Sequence, residues 1–206
     1  MKYGVLMVLC AAVCFGQNRD ADLAKLAGRF FDEVVFRYDP VSGTAAGYHQ
    51  YDKLLATESR TEINAEIAVL HQWERQMQAF DAKGLSPGAA LDLDLVLSQI
   101  RSALLGLETV RQWETNPDTY SSGLTNAVFV IMSRSFAPQG ERIKAVIARE
   151  KLAPAVLQEA RRNLKNPPKI FTEVAIEQIG GIVSFFEKDV PAAFQEVKDP
   201  ALMADF

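Results

Sequence analysis

Apolar residues recur along this chain at three- and four-residue intervals. Between Asp22 and Tyr38 they stand at 23, 26, 27, 30, 31, 34, 35 and 38, which places them on one wide stripe of a helix. Asp39-Pro40 ends that helix, because proline disfavours helical geometry in the residue before it. The stretch from Val41 to Thr57 holds Gly43, Gly47, Tyr48 and Tyr51 without a helical period, and predicts an extended loop ordered by its aromatics. The period returns behind Ser59-Arg60-Thr61-Glu62, a capping-box sequence. Ile63, Ile67, Leu70, Trp73, Met77 and Phe80 then share a face, and Lys83-Gly84 stops the helix.

Ser86-Pro87 opens the next helix, with serine as N-cap and proline in the first turn. The alternation Leu91-Asp92-Leu93-Asp94-Leu95 is a strand signal. Leu93, Leu97, Ile100, Leu104 and Leu107 keep helical spacing over the longer window, however, so a helix up to Trp113 is expected. After the turn at Asn116-Pro117-Asp118, Leu124 to Phe136 reads as a short buried helix, although Val128-Phe129-Val130-Ile131 would also suit a strand. Pro138 starts a helix carrying Ile143, Val146 and Ile147, and Pro154 either kinks it or begins a new one running to Leu164. Past the break at Asn166-Pro167-Pro168, Thr172 is expected to cap a helix through Lys188. Ile176, Ile179, Val183 and Phe186 would point inward, and Pro191 would end it. Val174 to Phe186 is apolar on more than one side, so part of this helix is expected to stay exposed in the chain by itself. The pattern predicts an all-α fold, an irregular multi-helix array of roughly six to eight helices with little or no sheet. No fixed-period repeat or linker-like change of composition divides it.

The N-terminus has a different pattern. Lys2 precedes the apolar run Gly4 to Phe15, which is too short to span a membrane. Cys14 and Gly16 are small residues suited to a cut before Gln17. Residues 1–16 therefore read as a secretory signal peptide, and 17–206 as a single helical region that is exported to the periplasm or outside the cell. Lipid attachment at Cys10 or Cys14 fits less well, because Leu9 and Val13 stand where a small residue is wanted. Both cysteines lie in the signal. A chain cut before Gln17 would have no disulfide, no thiolate nucleophile and no cysteine metal ligand. The net charge of -4 argues against nucleic acid as the main partner.

Chemistry-bearing motifs are sparse. His49 and His71 are the two histidines, too far apart for the i, i+4 pair of a zinc helix. The sequence offers no catalytic and no metal-ligating residues. Gly47-Tyr48-His49-Gln50-Tyr51-Asp52 is the most functional-looking local cluster: Tyr48, His49, Tyr51 and Asp52 on one loop could line a pocket. The plainer reading is that the tyrosines pin the loop to the helices while His49 and Asp52 bond nearby backbone. Asp92 and Asp94 lie about 200° apart on a helix and cannot converge on one atom; a solvated face suits them. Arg149, Arg161 and Arg162, with Lys144, Lys151 and Lys165, are interspersed with Glu141, Glu150 and Glu159, and read as salt-bridged helix faces. Trp73 and Trp113 fit packing positions. No Gly-x-Ser-x-Gly elbow or glycine-rich phosphate loop occurs.

Phe136-Ala137-Pro138, Arg142, Arg149-Glu150-Lys151-Leu152, Pro154-Ala155-Val156-Leu157, Ala160 to Pro168, Thr172-Glu173, Ala175-Ile176, Gln178 and Gly181 follow one another in a familiar order. With Trp113 to Pro117, Tyr120 and Gly47 to Asp52, this order resembles the N-terminal part of the bacterial family catalogued as domain of unknown function 885, over about residues 24 to 195. Members of that family are exported or lipid-anchored, largely helical, and similar to zinc-dependent peptidases with a His-Glu-x-x-His-like motif in a C-terminal half. No position of this chain matches that motif. The resemblance thus implies a non-catalytic N-terminal helical region of an exported metallopeptidase-like hydrolase, forming a wall of the substrate channel. Its partners would be its own C-terminal half and a peptide substrate. No cofactor is expected in this chain, and zinc only in the missing half. The alternative is a free-standing secreted helical binding protein that catalyses nothing.

Overall fold

A computed structural model describes residues 19–205. The signal-peptide reading, with Cys10, Cys14 and the cut before Gln17, lies outside the described residues. Within them every regular element is helical and no strand occurs, so the fold is all-α. The alternating Leu91 to Leu95 and the Val128 to Ile131 run are both helix.

The described residues form two compact units, 19–34 with 65–109 and 35–64 with 110–205. Helix α1 covers 19–38, with Phe31–Val35 wound as π-helix, and its residues up to Val34 belong to the first unit. It contributes Leu23, Phe30 and Val34 to this unit's interior. Leu70, Trp73 and Met77 come from α3, Arg60–Gln78. Leu93, Val96, Ile100 and Leu104 come from α4, Pro87–Leu104. The Phe30 and Trp73 rings meet at 5.6 Å. Ser86 caps α4 by accepting from the Ala89 N–H at 3.2 Å. The helix then passes into π-helix at Leu105–Val110, short of the expected Trp113. His71 pairs with Glu108 at 2.9 Å on the surface, and Asp92 and Asp94 are exposed, as a solvated face requires.

The second unit starts with a departure from the sequence reading. Pro40–Ala45 is a helix, α2, and His49–Tyr51 a 3-10 turn, where an extended loop was expected. Asp39 both ends α1 and caps α2: its carboxylate accepts from the Ser42 N–H at 3.0 Å and from the Ser42 hydroxyl, and Pro40 occupies the first turn, where its missing N–H costs nothing. The capping box forms as read, with the Glu62 N–H donating to Ser59 Oγ at 3.2 Å and the Ser59 N–H to Glu62 at 3.4 Å.

Then come α5, Gln112–Thr115, entered through left-handed Arg111, and α6, Asp118–Met132. α6 is longer than predicted because the Asn116-Pro117-Asp118 turn is itself its start. α7 runs unbroken over Gln139–Asn163 with Pro154 inside, so no new helix begins there. α8, Lys169–Ser184, continues through π-helical Phe185–Asp189 into α9, Val190–Ala193. Thr172 lies within α8 rather than capping it, and Pro191 sits in the first turn of α9 instead of stopping the chain. α10, Pro200–Asp205, closes the described chain.

This unit's core joins Val128, Val130 and Ile131 of α6 to Ile143, Ala145, Val146 and Ile147 of α7 and to Val190 and Phe194. α8 is the exception to its packing. Ala175 is buried, while Ile170, Phe171, Val174, Ile176, Ile179 and Val183 are exposed. The inward placement of Ile176, Ile179 and Val183 is therefore corrected, and the expected partial exposure of Val174 to Phe186 is observed.

Candidate functional site

The candidate loop is built on Phe36. Tyr48 and Tyr51 pack their rings against it at 4.9 and 5.6 Å. Tyr51 also lies so close to Gly43 that a Cβ there would meet its ring at 2.8 Å. Gly47 takes the left-handed φ of 92° that turns the chain from α2 into the 3-10 segment. Asp52 is buried, and its carboxylate meets His49 Nδ1 at 3.1 Å. The His49 ring stacks on Phe136 at 4.0 Å. An imidazole held by a carboxylate is the orienting half of many acid-base sites. Here the ring face is covered by Phe136, and the pair anchors the loop.

The group that organises this region is Arg149, 1% exposed. Its guanidinium donates to Thr44 Oγ1 at 2.7 Å and to the carbonyls of Pro40, Tyr51, Leu54 and Ala127 at 3.5, 3.3, 3.0 and 2.5 Å. One side chain of α7 thus fastens α2, the tyrosine loop and α6. Burial pushes its pKa down to about 10, against the opposing pull of Asp52 and Asp39. The fork of donors on a planar cation allows several carbonyls to be satisfied at once. Arg142, one heptad earlier, donates to the carbonyls of Ala137, Ile131 and Met132. It thereby caps the end of α6, where orphan carbonyls and the helix dipole favour a cation.

These two arginines correct the reading of Arg149 as part of a salt-bridged surface. Lys144–Glu141 and Arg162–Glu159 do form such pairs. The signal was present in the register: Arg142 and Arg149 fall in phase with buried Ala145, Val146 and Val156. A third polar cluster was also missed. Asn163 donates to the Glu58 carbonyl at 2.7 Å and to Tyr120 Oη at 3.2 Å, and Tyr120 donates to the Trp113 carbonyl at 2.5 Å. Burial raises the Tyr120 pKa to about 12 and pushes the Glu58 carboxyl up as well.

Leu55, Leu124, Ala127, Val128, Arg149, Glu150, Ala153 and Phe186 line a cavity of about 10 Å³, enough for one water and far below a substrate pocket. Tyr48, His49, Tyr51 and Asp52 are not among its lining residues. Burial raises the Glu150 carboxyl to about 6. Among the described residues no group of three or more His, Cys, Asp or Glu side chains could hold a metal ion. No helix among them is long and apolar enough to cross a membrane.

A family model described as a bacterial protein of unknown function, DUF885, matches residues 40–206. The chain belongs to this family. The match takes in the Arg142–Arg149 system, the tyrosine loop and α8. Among solved structures, this DUF885 chain is similar to one described as a "putative lipoprotein of unknown function" from Shewanella oneidensis, with a TM-score of 0.77 and 23% identity. The similarity covers 89% of this chain and 33% of that one, so the chain spans about a third of its neighbour's length. No curated protein matches it.

Proposed function

We propose that this DUF885 chain is a non-catalytic helical portion of a longer, exported, metallopeptidase-like hydrolase, where it forms one wall of a channel for a peptide substrate. The observation that carries the reading is the span: the chain is folded like a third of a larger protein. The Lys2 and Gly4–Phe15 pattern and the lipoprotein description of the neighbour support export. The hydrolytic part rests on the family resemblance. Its chemistry is assigned to residues outside this chain, because no position of this chain matches the family's His-Glu-x-x-His-like motif.

Reading the gene past the Phe206 codon tests this. The expected result is an open frame with a His-Glu-x-x-His-like motif, whose product binds zinc and hydrolyses peptides. A stop codon would overturn it and leave the second reading, a free-standing secreted binding protein. The buried core of the second unit, closed by Val190 and Phe194, favours that alternative.

A further inference from the structure

α8 has too much apolar surface for its place. At roughly 100° of rotation per residue, its buried Ala175 and its Gln178, which is bonded to Ser122 of α6 at 3.4 Å, define the inward side. Ile170 and Val174 lie on one flank of that side. Ile176, Ile179 and Val183 lie on the other, and all five are exposed. Glu173, paired with Lys169 at 3.4 Å, and Glu177 form a polar, mainly acidic ridge between the flanks on the outward side. The apolar arc thus covers about 240°, against the stripe of roughly 100° that a surface helix needs to bury against one neighbour. Gly180 and Gly181 are open as well: a Cβ added at either would meet nothing within 4 Å.

We infer that α8 is an inter-helix spine, seating one helix on the Ile170–Val174 flank and another on the Ile176–Ile179–Val183 flank. Both are supplied by the remaining part of the longer DUF885 polypeptide and carry Lys or Arg toward Glu177, since Glu173 already pairs with Lys169. This rests on the reading that the chain is a portion of such a polypeptide. Three observations select the occupant. The flanks are separated by the acidic ridge, so a single helix cannot cover both. A second copy docked about a two-fold axis would cover one flank and leave its opposite in water. A membrane surface would bring Glu173 and Glu177 toward the headgroups, the reverse of the basic polar face that favours interfacial helices. The structural neighbour, three times as long as the matched segment, has the chain length to provide two further helices.

Cysteine labelling tests the seat without reference to catalysis. Ile170→Cys, Ile176→Cys and Glu173→Cys are placed singly in this chain and in the gene product extended beyond Phe206, both with Cys10 and Cys14 replaced by alanine. A maleimide is added, and peptide mapping by mass spectrometry locates the label. The expected result is fast labelling at all three positions in this chain. In the extended product, labelling should be about tenfold slower or more at positions 170 and 176 but not at 173, as burial by packed helices requires. Equal rates in the two proteins, or protection of one flank only, would overturn the two-sided seat while leaving the hydrolase reading intact. Protection that rises with concentration in this chain alone would assign the surface to a second copy. A stop codon after Phe206 would remove both proposals.

Discussion

Arg149 Nη2 donates to the Thr44 hydroxyl at 2.7 Å across 105 residues of sequence, and both side chains are 1% exposed. This bond joins the middle of α7 to a six-residue helix that has little packing surface of its own. Removing the guanidinium would leave the Thr44 hydroxyl and the carbonyls of Pro40, Tyr51 and Leu54 without that donor. Arg149→Ala is therefore expected to cost about 3–5 kcal/mol in a urea melt. Arg149→Lys should cost about 2 kcal/mol, because an ammonium cannot spread its donors over the same fork. A loss below about 1 kcal/mol for the alanine variant would contradict the assigned role.

Glu150 gives a pH dependence of defined sign. Its carboxyl rises from 4.5 to about 6 on folding because burial disfavours the charge. Between those values the folded chain holds a proton that the unfolded chain has released. The group's contribution to stability is thus complete below pH 4.5 and lost as the pH rises through about 6. Glu150→Gln should raise stability at pH 7 by about 1 kcal/mol, allowing for partial solvent access, and change little at pH 4. Melts at the two pH values check this, and a larger gain at pH 4 would contradict it.

Tyr120→Phe removes the donor to the Trp113 carbonyl and the acceptor for Asn163 while keeping the ring. The expected loss is about 1–2 kcal/mol. Asn163→Ala, which also frees the Glu58 carbonyl, should cost at least as much. The double variant should lose less than the sum, since the residues share a bond. A double-mutant cycle of denaturant melts reads the coupling directly.

The exposed flanks of α8 should bind a hydrophobic dye such as anilinonaphthalene sulfonate in native buffer. Ile176→Glu with Ile179→Glu should reduce that fluorescence while moving stability by no more than about 0.5 kcal/mol, as both side chains are solvent-exposed. An unchanged signal would place the dye elsewhere.

Helix starts with a side-chain cap were legible: Ser59 with Glu62, and Ser86, each make the bonds their sequence announces. Asp39-Pro40 was half legible, because the same pair of residues stops one helix and caps another, and only the stop was read. Pro154 shows a limit of local rules, since tertiary packing carries α7 through a residue that disfavours helix. Residue type singled out Tyr48, His49, Tyr51 and Asp52 either as pocket-lining residues or, in the plainer reading, as residues that anchor their loop. In the structure the tyrosines meet Phe36 and the other two meet each other. What residue type concealed was the burial of Arg142 and Arg149. A charged side chain is assigned to solvent by default, and only its phase with Ala145, Val146 and Val156 says otherwise.

The π-helical stretch Phe185–Asp189 acts as a phase corrector. Continued as plain α-helix from Ala175, Val190 and Phe194 would be turned by roughly 60° and 100° from the buried side. The one additional residue of a π-turn takes back about 100° and returns both to it, where they are fully enclosed. A single-residue deletion within 185–189 would therefore leave every downstream residue type in place and yet rotate Val190 and Phe194 out of the core.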